Sequence, residues 1–329
     1  FTVAAPGTCV GGAGVDYELA VDGGRAEVTV FGGRPVVTAA AGGDRPAATP
    51  GVGEFVRVDP RTGHLSAPAM KLAAMQAPPD TPVLLLAPDY AKAVLADRPA
   101  GYWRFESVTN GVIPNEVSGG TGLRLIGAPS LHGPAGGNRG LYFPPAGGPH
   151  GALSEGVWNP TGREFAVECW VLPRLAQQAA VLGVLAEGGR PQLDLHAVYL
   201  ELTSQSAPGL NAARRVRGVY RVPVGRTSGT ECLSGTTYRP LQWQHLIAQR
   251  RGDQFEIYLN GEVATSGPVD VTNALPRGRL LLGALYAARD GSSCAGRPFA
   301  GVVDEVAVYD PPLSASDVLR HYRMGPHRK

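Results

Sequence analysis

Between Gln254 and Leu259 apolar and polar positions alternate: Phe255, Ile257 and Leu259 point one way, Glu256 and Tyr258 the other. A period of two marks a half-buried antiparallel strand. Asn260-Gly261 follows and supplies the left-handed dihedrals of a two-residue hairpin turn, after which Glu262 to Thr265 returns. Arg251-Gly252-Asp253 makes the turn before it, by composition a turn rather than a recognition motif. Trp243 to Gly267 therefore reads as three short strands with one apolar and one wet face. Such a meander needs a second sheet to cover it.

Shorter runs repeat the pattern along the chain. Residues 1–76 read as a small all-β domain. Val15 to Val21 alternates weakly, and Asp22-Gly23-Gly24 turns. Arg25 to Phe31 then puts Ala26, Val28 and Val30 on one face. Gly32-Gly33 turns into Pro35 to Thr38, Glu54 to Val58 is a further strand, and Asp59 to Gly63 is a turn. Residues 77–98 read as a proline-rich linker anchored by Val83 to Leu86, then a short helix from Asp89 to Ala96. Asp89 is its N-cap, Tyr90 and Val94 share a face, and Pro99 ends it.

Residues 99–325 form the larger domain, starting at Tyr102. Pro144 to Ser154 reads as a loop; Gln192 to Leu202 and Val216 to Val224 read as strands. In the second strand Val216, Tyr220, Val222 and Val224 lie on one face, with Arg215, Arg217 and Arg221 on the other. Ser314 caps a final helix, with Asp317 at its third position and Leu313 and Val318 as a hydrophobic staple. That helix finishes near Gly325, and residues 326–329 are a basic tail. The fold class is all-β: an antiparallel sandwich preceded by a smaller β domain, with short helices in the linker and at the C-terminus.

Composition fits this reading. A chain of 329 residues with 45 Gly, 29 Pro and 18% charged residues suits many short strands and turns, not long helices. At this length folding buries about 75% of the unfolded surface. A net charge of +2, spread along the chain, argues against a nucleic-acid partner. No apolar run approaches the ~18 residues of a membrane span. The chain begins at Phe1, not Met, so we expect a processed or truncated product with any targeting segment upstream. Cys232 and Cys294 sit in Gly/Ser stretches and are expected to pair. Closing that ~60-residue loop would be worth roughly 4 kcal/mol and would imply an oxidising compartment. Cys169 reads as a buried apolar side chain, and Cys9 stays unassigned.

Four segments carry a resemblance. Gly101 to Glu106 (GYWRFE), Phe165 to Val171 (FAVECWV), Trp243 to Gly261, and Phe299 to Tyr309 with Leu313-Ser314 resemble, in order, strands of bacterial laminin G-like domains. These belong to the concanavalin A-like lectin/glucanase jelly rolls, so the resemblance implies a jelly-roll sandwich. Phe1-Thr2-Val3, Gly24 to Val30 and Gly53-Glu54 are similar to the FecR domain, an extracytoplasmic β module of bacterial regulators. Phe1 aligns with the middle of that module, so the expectation is a truncated module whose exposed edge strand would template self-association.

The laminin G-like resemblance implies a calcium site at the sandwich rim, carried here by Glu106, Asn115 (where relatives often have Asp) and Asp304. From the residues themselves, Arg215, Arg217 and Arg221 form either a basic stripe for an acidic polysaccharide or the solvated face of a half-buried strand. Trp103, Trp170 and Trp243 lie in strands, where packing is expected; Trp158, in a loop, is the candidate for ligand contact. Glucanases of this fold use a Glu-x-Asp-x-x-Glu cluster, and none occurs here. Asp304-Glu305 is adjacent on a strand, so its side chains should face opposite ways. Nor is there a nucleophile elbow or a nucleotide-binding glycine pattern. The expectation is a non-catalytic protein of the cell surface or extracellular space that binds a glycan or a surface protein. Two alternatives stand: a structural subunit assembled through its N-terminal strands, and a FecR-type sensor ectodomain.

Overall fold

The computed structural model describes residues 2–5, 8–12, 16–22, 25–32, 35–39, 47–50, 54–59, 61–70, 81–145, 149–160, 163–186, 193–204, 214–224 and 229–326. Expectations placed on Phe1, Val15, Gly23-Gly24, Gly33, Gly53, Pro60, residues 77–80, Gln192 and residues 327–329 lie outside them. The chain divides into two compact units, residues 1–79 with 144–148 and residues 80–143 with 149–329.

In the first unit the described residues form two four-stranded antiparallel sheets. One orders Thr2–Ala5, Thr8–Gly11, Val36–Ala39 and Ala47–Ala48; the other orders Asp16–Asp22, Arg25–Gly32, Glu54–Val58 and Ala69–Met70. Ala26, Val28 and Val30 are fully buried, as their alternation predicts, and Val10, Val37, Val56 and Val58 complete the core. Asp59 holds its turn by accepting the Arg61 and Thr62 amides on Oδ1 (2.9 and 3.3 Å).

The second unit is a two-sheet antiparallel sandwich. Its first sheet runs Ser130–His132, Gly140–Phe143, Gly301–Tyr309, Phe165–Pro173, Gln244–Arg251, Gln254–Leu259 and Glu262–Pro268, with Gly101–Trp103 also paired to Gly301–Tyr309. The second runs Val112–Ile113, Leu123–Ile126, Gly151–Ser154, Gly278–Leu282, Ala179–Ala186, Leu193–Leu202, Arg215–Tyr220 and Thr230–Thr237. Phe255, Ile257 and Leu259 point into the core between the sheets, beside Val167, Cys169, Leu246, Val216 and Tyr220. Asn260 and Gly261 have φ of +57° and +84°, the left-handed pair their sequence calls for.

Three expectations are corrected. Gly151–Ser154 is a strand, not part of a loop: Ala152 and Leu153 are buried on opposite faces, so no polar alternation announces it. The strand that was to reach Val224 ends at Tyr220, although Val222 and Val224 still pack against the core. The outer face of the first sheet is not wet. Leu84, Tyr90, Val94, Leu313 and Val318 cover Tyr258, Trp170 and Ile247 there.

Segment 81–88 and two helices thus form a third layer. Asn138 Nδ2 donates to Leu84 O (3.2 Å), and His132 Nε2 lies 2.9 Å from Thr81 O. The Tyr90–Ala96 helix has Asp89 at its N-cap, but that side chain makes no capping bond. The Ala315–Arg323 helix has the full capping box expected of Ser314 and Asp317. Among the described residues no helix is long and apolar enough to cross a membrane.

Replacing Ile257 by Ala should lower the unfolding free energy by about 2–5 kcal/mol, because its side chain is wholly buried between the sheets. Val263→Ala, at a position 53% exposed, should stay within about 0.5 kcal/mol. Urea titrations of the two variants check this pair of values.

Candidate ligand-binding site

The outer face of the first sheet holds a groove of about 690 Å³, within the usual range for ligand pockets. Five separated segments line it: Pro82, Val83 and Leu85 of the covering segment; Trp170 of the Phe165–Pro173 strand; Thr236, Thr237, Arg239 and Leu241; Trp243, Gln244, Asn260 and Glu262 of the meander; and Tyr322 of the last helix. Trp243 is fixed by its indole N–H, which donates to Pro82 O (3.1 Å). The Tyr322 ring is stacked with Trp170 (6.1 Å, 19°) and with His245 (6.3 Å, 23°). It also rests on the hairpin turn, where a Cβ at Gly261 would come within 2.7 Å of its ring. Asn260 Nδ2 donates to Gln244 Oε1 (3.2 Å), orienting both amides. Two half-buried aromatic rings among amides, hydroxyls, one guanidinium and one carboxylate suit a ligand with apolar faces and many hydroxyl groups.

A buried polar cluster beneath the groove holds the helix that carries Tyr322. Glu168 is fully buried; His245 Nε2 (2.6 Å) and His321 Nδ1 (2.9 Å) lie against its Oε1, and Tyr309 donates to its Oε2 (2.5 Å). The other nitrogen of His321 lies 2.9 Å from Asp97 Oδ2, which also pairs with Arg320 at 2.5 Å. A carboxylate oxygen within 3 Å of each ring nitrogen favours the charged form of His321. Burial pushes its pKa down, but Glu168 and Asp97 outweigh that and raise it above the ordinary value. Burial alone would raise Glu168; His321 and His245 instead hold it well below the usual carboxylate range.

The three residues expected to hold calcium are placed differently. Glu106 and Asp304 meet in a second polar cluster, whereas Asn115 spends its Oδ1 on the amides of Tyr102 (3.1 Å) and Val117 (2.9 Å). A β-bulge in Gly301–Tyr309 shapes this cluster. The register passes from Trp170 opposite Asp304 to Glu168 opposite Ala307, with Glu305 at φ +51°. The expectation that Asp304 and Glu305 face apart is thereby overturned. Asp304 accepts the Glu305 amide (2.8 Å) and Asn138 Nδ2 (2.6 Å), while Glu305 accepts Tyr102 Oη–H and Arg104 Nε–H (3.2 Å). Burial, then the neighbouring Glu305, pushes Asp304 well up; burial pushes Glu305 to about 7 against the pull of Arg104. The cation here is Arg104, 3.2 Å from both Glu106 and Glu305. Among the described residues no three His, Cys, Asp or Glu side chains are grouped to hold a metal ion.

Other candidates are also reassigned. Trp158 packs edge-to-face on Phe165 (6.0 Å, 79°), pairs its backbone with Gly278 and stays half-buried. The arginine row is not a free stripe. Arg215 donates to Ser234 O (2.8 Å), Arg217 is buried between Glu201 and Glu231 (2.5 Å each), and Arg221 reaches His196 Nε2 (3.0 Å). Cys232 and Cys294 are not joined, and all four cysteines are free thiols. Cys232 faces the core between the sheets; Cys294 lies with Ile126, Leu153 and Leu281 on the far side of the second sheet. Burial pushes both thiols up to about 11. Trp243, assigned to packing from its strand, is the groove's aromatic wall. No local spacing announces this, because its companions come from distant segments.

A family model described as the concanavalin A-like lectin/glucanases superfamily matches residues 145–319. The search of curated proteins returned no match. Among solved structures, the chain is similar to domain 4 of an extracellular arabinanase from Geobacillus stearothermophilus, solved with arabinotriose. That match has 15% identity, covers 73% of this chain and 100% of that one, and has a TM-score of 0.48. It is similar to the ligand-binding domain of botulinum neurotoxin serotype D, solved with N-acetylneuraminic acid, at 10% identity, 70% and 52% coverage and TM-score 0.46. A SAP-like pentraxin from Limulus polyphemus is similar at 14% identity, 54% and 78% coverage and TM-score 0.42.

The Glu168–His321 pair predicts a two-sided pH dependence of stability. Since the folded pKa of His321 is raised, its contribution is full below the ordinary 6.5 and is lost as pH rises through the raised value. Since that of Glu168 is depressed, its contribution is full above the ordinary 4.5 and is lost as pH falls. His321→Gln should flatten the alkaline fall and cost about 1–3 kcal/mol at pH 6. Urea midpoints from pH 3 to 9 measure both; an alkaline slope unchanged in the variant would refute the assignment.

Proposed function

The chain belongs to the concanavalin A-like lectin/glucanases superfamily, and from that premise we propose that it is a non-catalytic, extracytoplasmic glycan-binding protein whose ligand lies in the Trp243–Tyr322 groove. The observation that carries this reading is the groove itself: aromatic rings held by Pro82 and Trp170, with oriented amides beside them. Its lining includes one carboxylate, Glu262, whereas glycoside hydrolysis uses a pair, which supports binding without turnover. A protein partner in the same groove would need a larger apolar surface than Leu85, Leu241 and the two rings offer.

A second reading is favoured by one observation. Thr2–Ala5 lies at the end of its sheet and, among the described residues, pairs on one side only, with Thr8–Gly11. Such an edge supports assembly by strand addition. Light scattering across a range of concentrations separates this reading from a monomeric binder.

A glycan array followed by calorimetry on the hits tests the primary reading. Trp243→Ala should weaken binding at least about tenfold, a loss of about 1.4 kcal/mol. Trp243→Phe, which keeps a ring but not the bond to Pro82, should retain most of it. A blank array, or equal affinity for the Ala variant, would contradict the proposal.

A further inference from the structure

Asn-Gly occurs twice in the chain, at 110–111 and at 260–261, and each pair makes a two-residue turn between strands. The backbone is nearly the same in both. The φ angles are +51° and +76° at the first pair and +57° and +84° at the second. An asparagine before glycine carries a latent reaction: with no side chain, the glycine leaves its own amide nitrogen free to approach the asparagine carboxamide carbon. Whether the reaction runs depends on what holds the two residues.

Asn260 is held at both ends of its carboxamide. Its Oδ1 accepts the His245 amide (2.9 Å) and its Nδ2 donates to Gln244 Oε1 (3.2 Å). Gly261 is buried, and a Cβ there would stand 2.7 Å from the Tyr322 ring. The strands Gln254–Leu259 and Glu262–Pro268 pair along their length from this turn. The first pair is held by much less. Asn110 and Gly111 are both exposed, and among the described residues the Asn110 carboxamide makes no hydrogen bond. A Cβ at Gly111 would meet nothing within 4 Å. The turn is closed by Thr109 and Val112, which exchange amide bonds of 2.9 and 3.0 Å across an isolated bridge. Ring closure moves the asparagine ψ away from its left-handed value, so the turn must open. A single bridge permits that far more readily than a full strand pair.

We propose that Asn110 is a site of spontaneous covalent modification, deamidation through a cyclic imide, and that the fold protects the identical pair at Asn260. The Gly111 nitrogen gives its proton to solvent and bonds to Asn110 Cγ. The Cγ–Nδ2 bond then breaks, and Nδ2 takes up a proton from water and leaves as ammonia. Water opens the five-membered imide at either carbonyl, giving aspartate or isoaspartate at that position. The reaction consumes one water and releases one ammonia, with no change of oxidation state. The product adds one negative charge, and isoaspartate lengthens the main chain by a methylene inside the Thr109–Val112 turn. At Asn260 the same product would set a carboxylate against Gln244 Oε1 in the lining of the groove. Ageing is thereby confined to a turn outside that lining. The proposal does not depend on the groove reading.

Peptide mapping by mass spectrometry on the full 329-residue chain tests it, after incubation both folded and in urea between pH 6 and pH 9. In urea the two pairs should convert at similar rates, because neither turn persists. In the folded chain Asn110 should convert at least about tenfold faster than Asn260, whose two hydrogen bonds must break first. The Asn110 rate should climb with pH, since the attacking amide has to lose its proton. Asn110→Gln, a change on the exposed surface, should remove the early release of ammonia. Equal rates at the two sites in the folded chain would overturn the proposal. So would an Asn110 that survives folded while the urea sample converts, a rate indifferent to pH, or ammonia release undiminished in Asn110→Gln.

Discussion

Two apolar sheet faces bury each other, and everything functional in the second unit is placed relative to that contact. Phe255, Ile257 and Leu259 meet Val216 and Tyr220 across the interface, and Leu246 and Ala248 on the next strand continue the same core. At roughly 1.5–3 kcal/mol per large side chain, this burial dominates the polar contacts around it. It also fixes which side of each strand faces outward. Trp170, Tyr258 and Glu168 leave the first sheet on its outer face because their neighbours are committed to the inner one.

What the outer faces carry follows from this geometry. A bare antiparallel sheet would present Trp170 and Ile247 to water; instead, segment 81–88 and two helices close over them. The closing layer is held by ionic hydrogen bonds as well as apolar contact. Glu168, fully buried, requires His245, His321 and Tyr309, and His321 belongs to the last helix. Tyr322, the next residue, is carried to the groove by that requirement. A buried carboxylate thus positions an aromatic wall of the ligand site. On the opposite sheet Glu201 plays a comparable part, drawing Arg217 and Arg297 onto the outer face.

Local features were legible in the sequence and long-range ones were not. The Asn260-Gly261 turn, the Phe255 alternation and the Ser314 capping box each depend on residues a few positions apart, and each is present. Tyr258 reads as wet in the sequence because its cover comes from distant segments, Leu84 to Val94 upstream and Leu313 and Val318 downstream. The side chains of Asp304 and Glu305 were expected apart because a strand alternates, and a bulge removes the alternation at that point. The paired cysteines failed for a similar reason: loop-like composition says nothing about which side of a sheet a thiol occupies. Trp243, expected to pack, lines the groove because its neighbours there come from distant segments of the chain.

The central claim is that a glycan meets this sandwich where the third layer leaves Trp243 open beside Tyr322. The most direct measurement follows the four tryptophan indole N–H resonances in a two-dimensional NMR spectrum while a bound glycan is titrated in. Assignment comes from single Trp→Phe variants. The account predicts that the Trp243 resonance shifts with saturation while those of Trp103 and Trp158 stay in place. A titration that moves Trp158 and leaves Trp243 unchanged would contradict it.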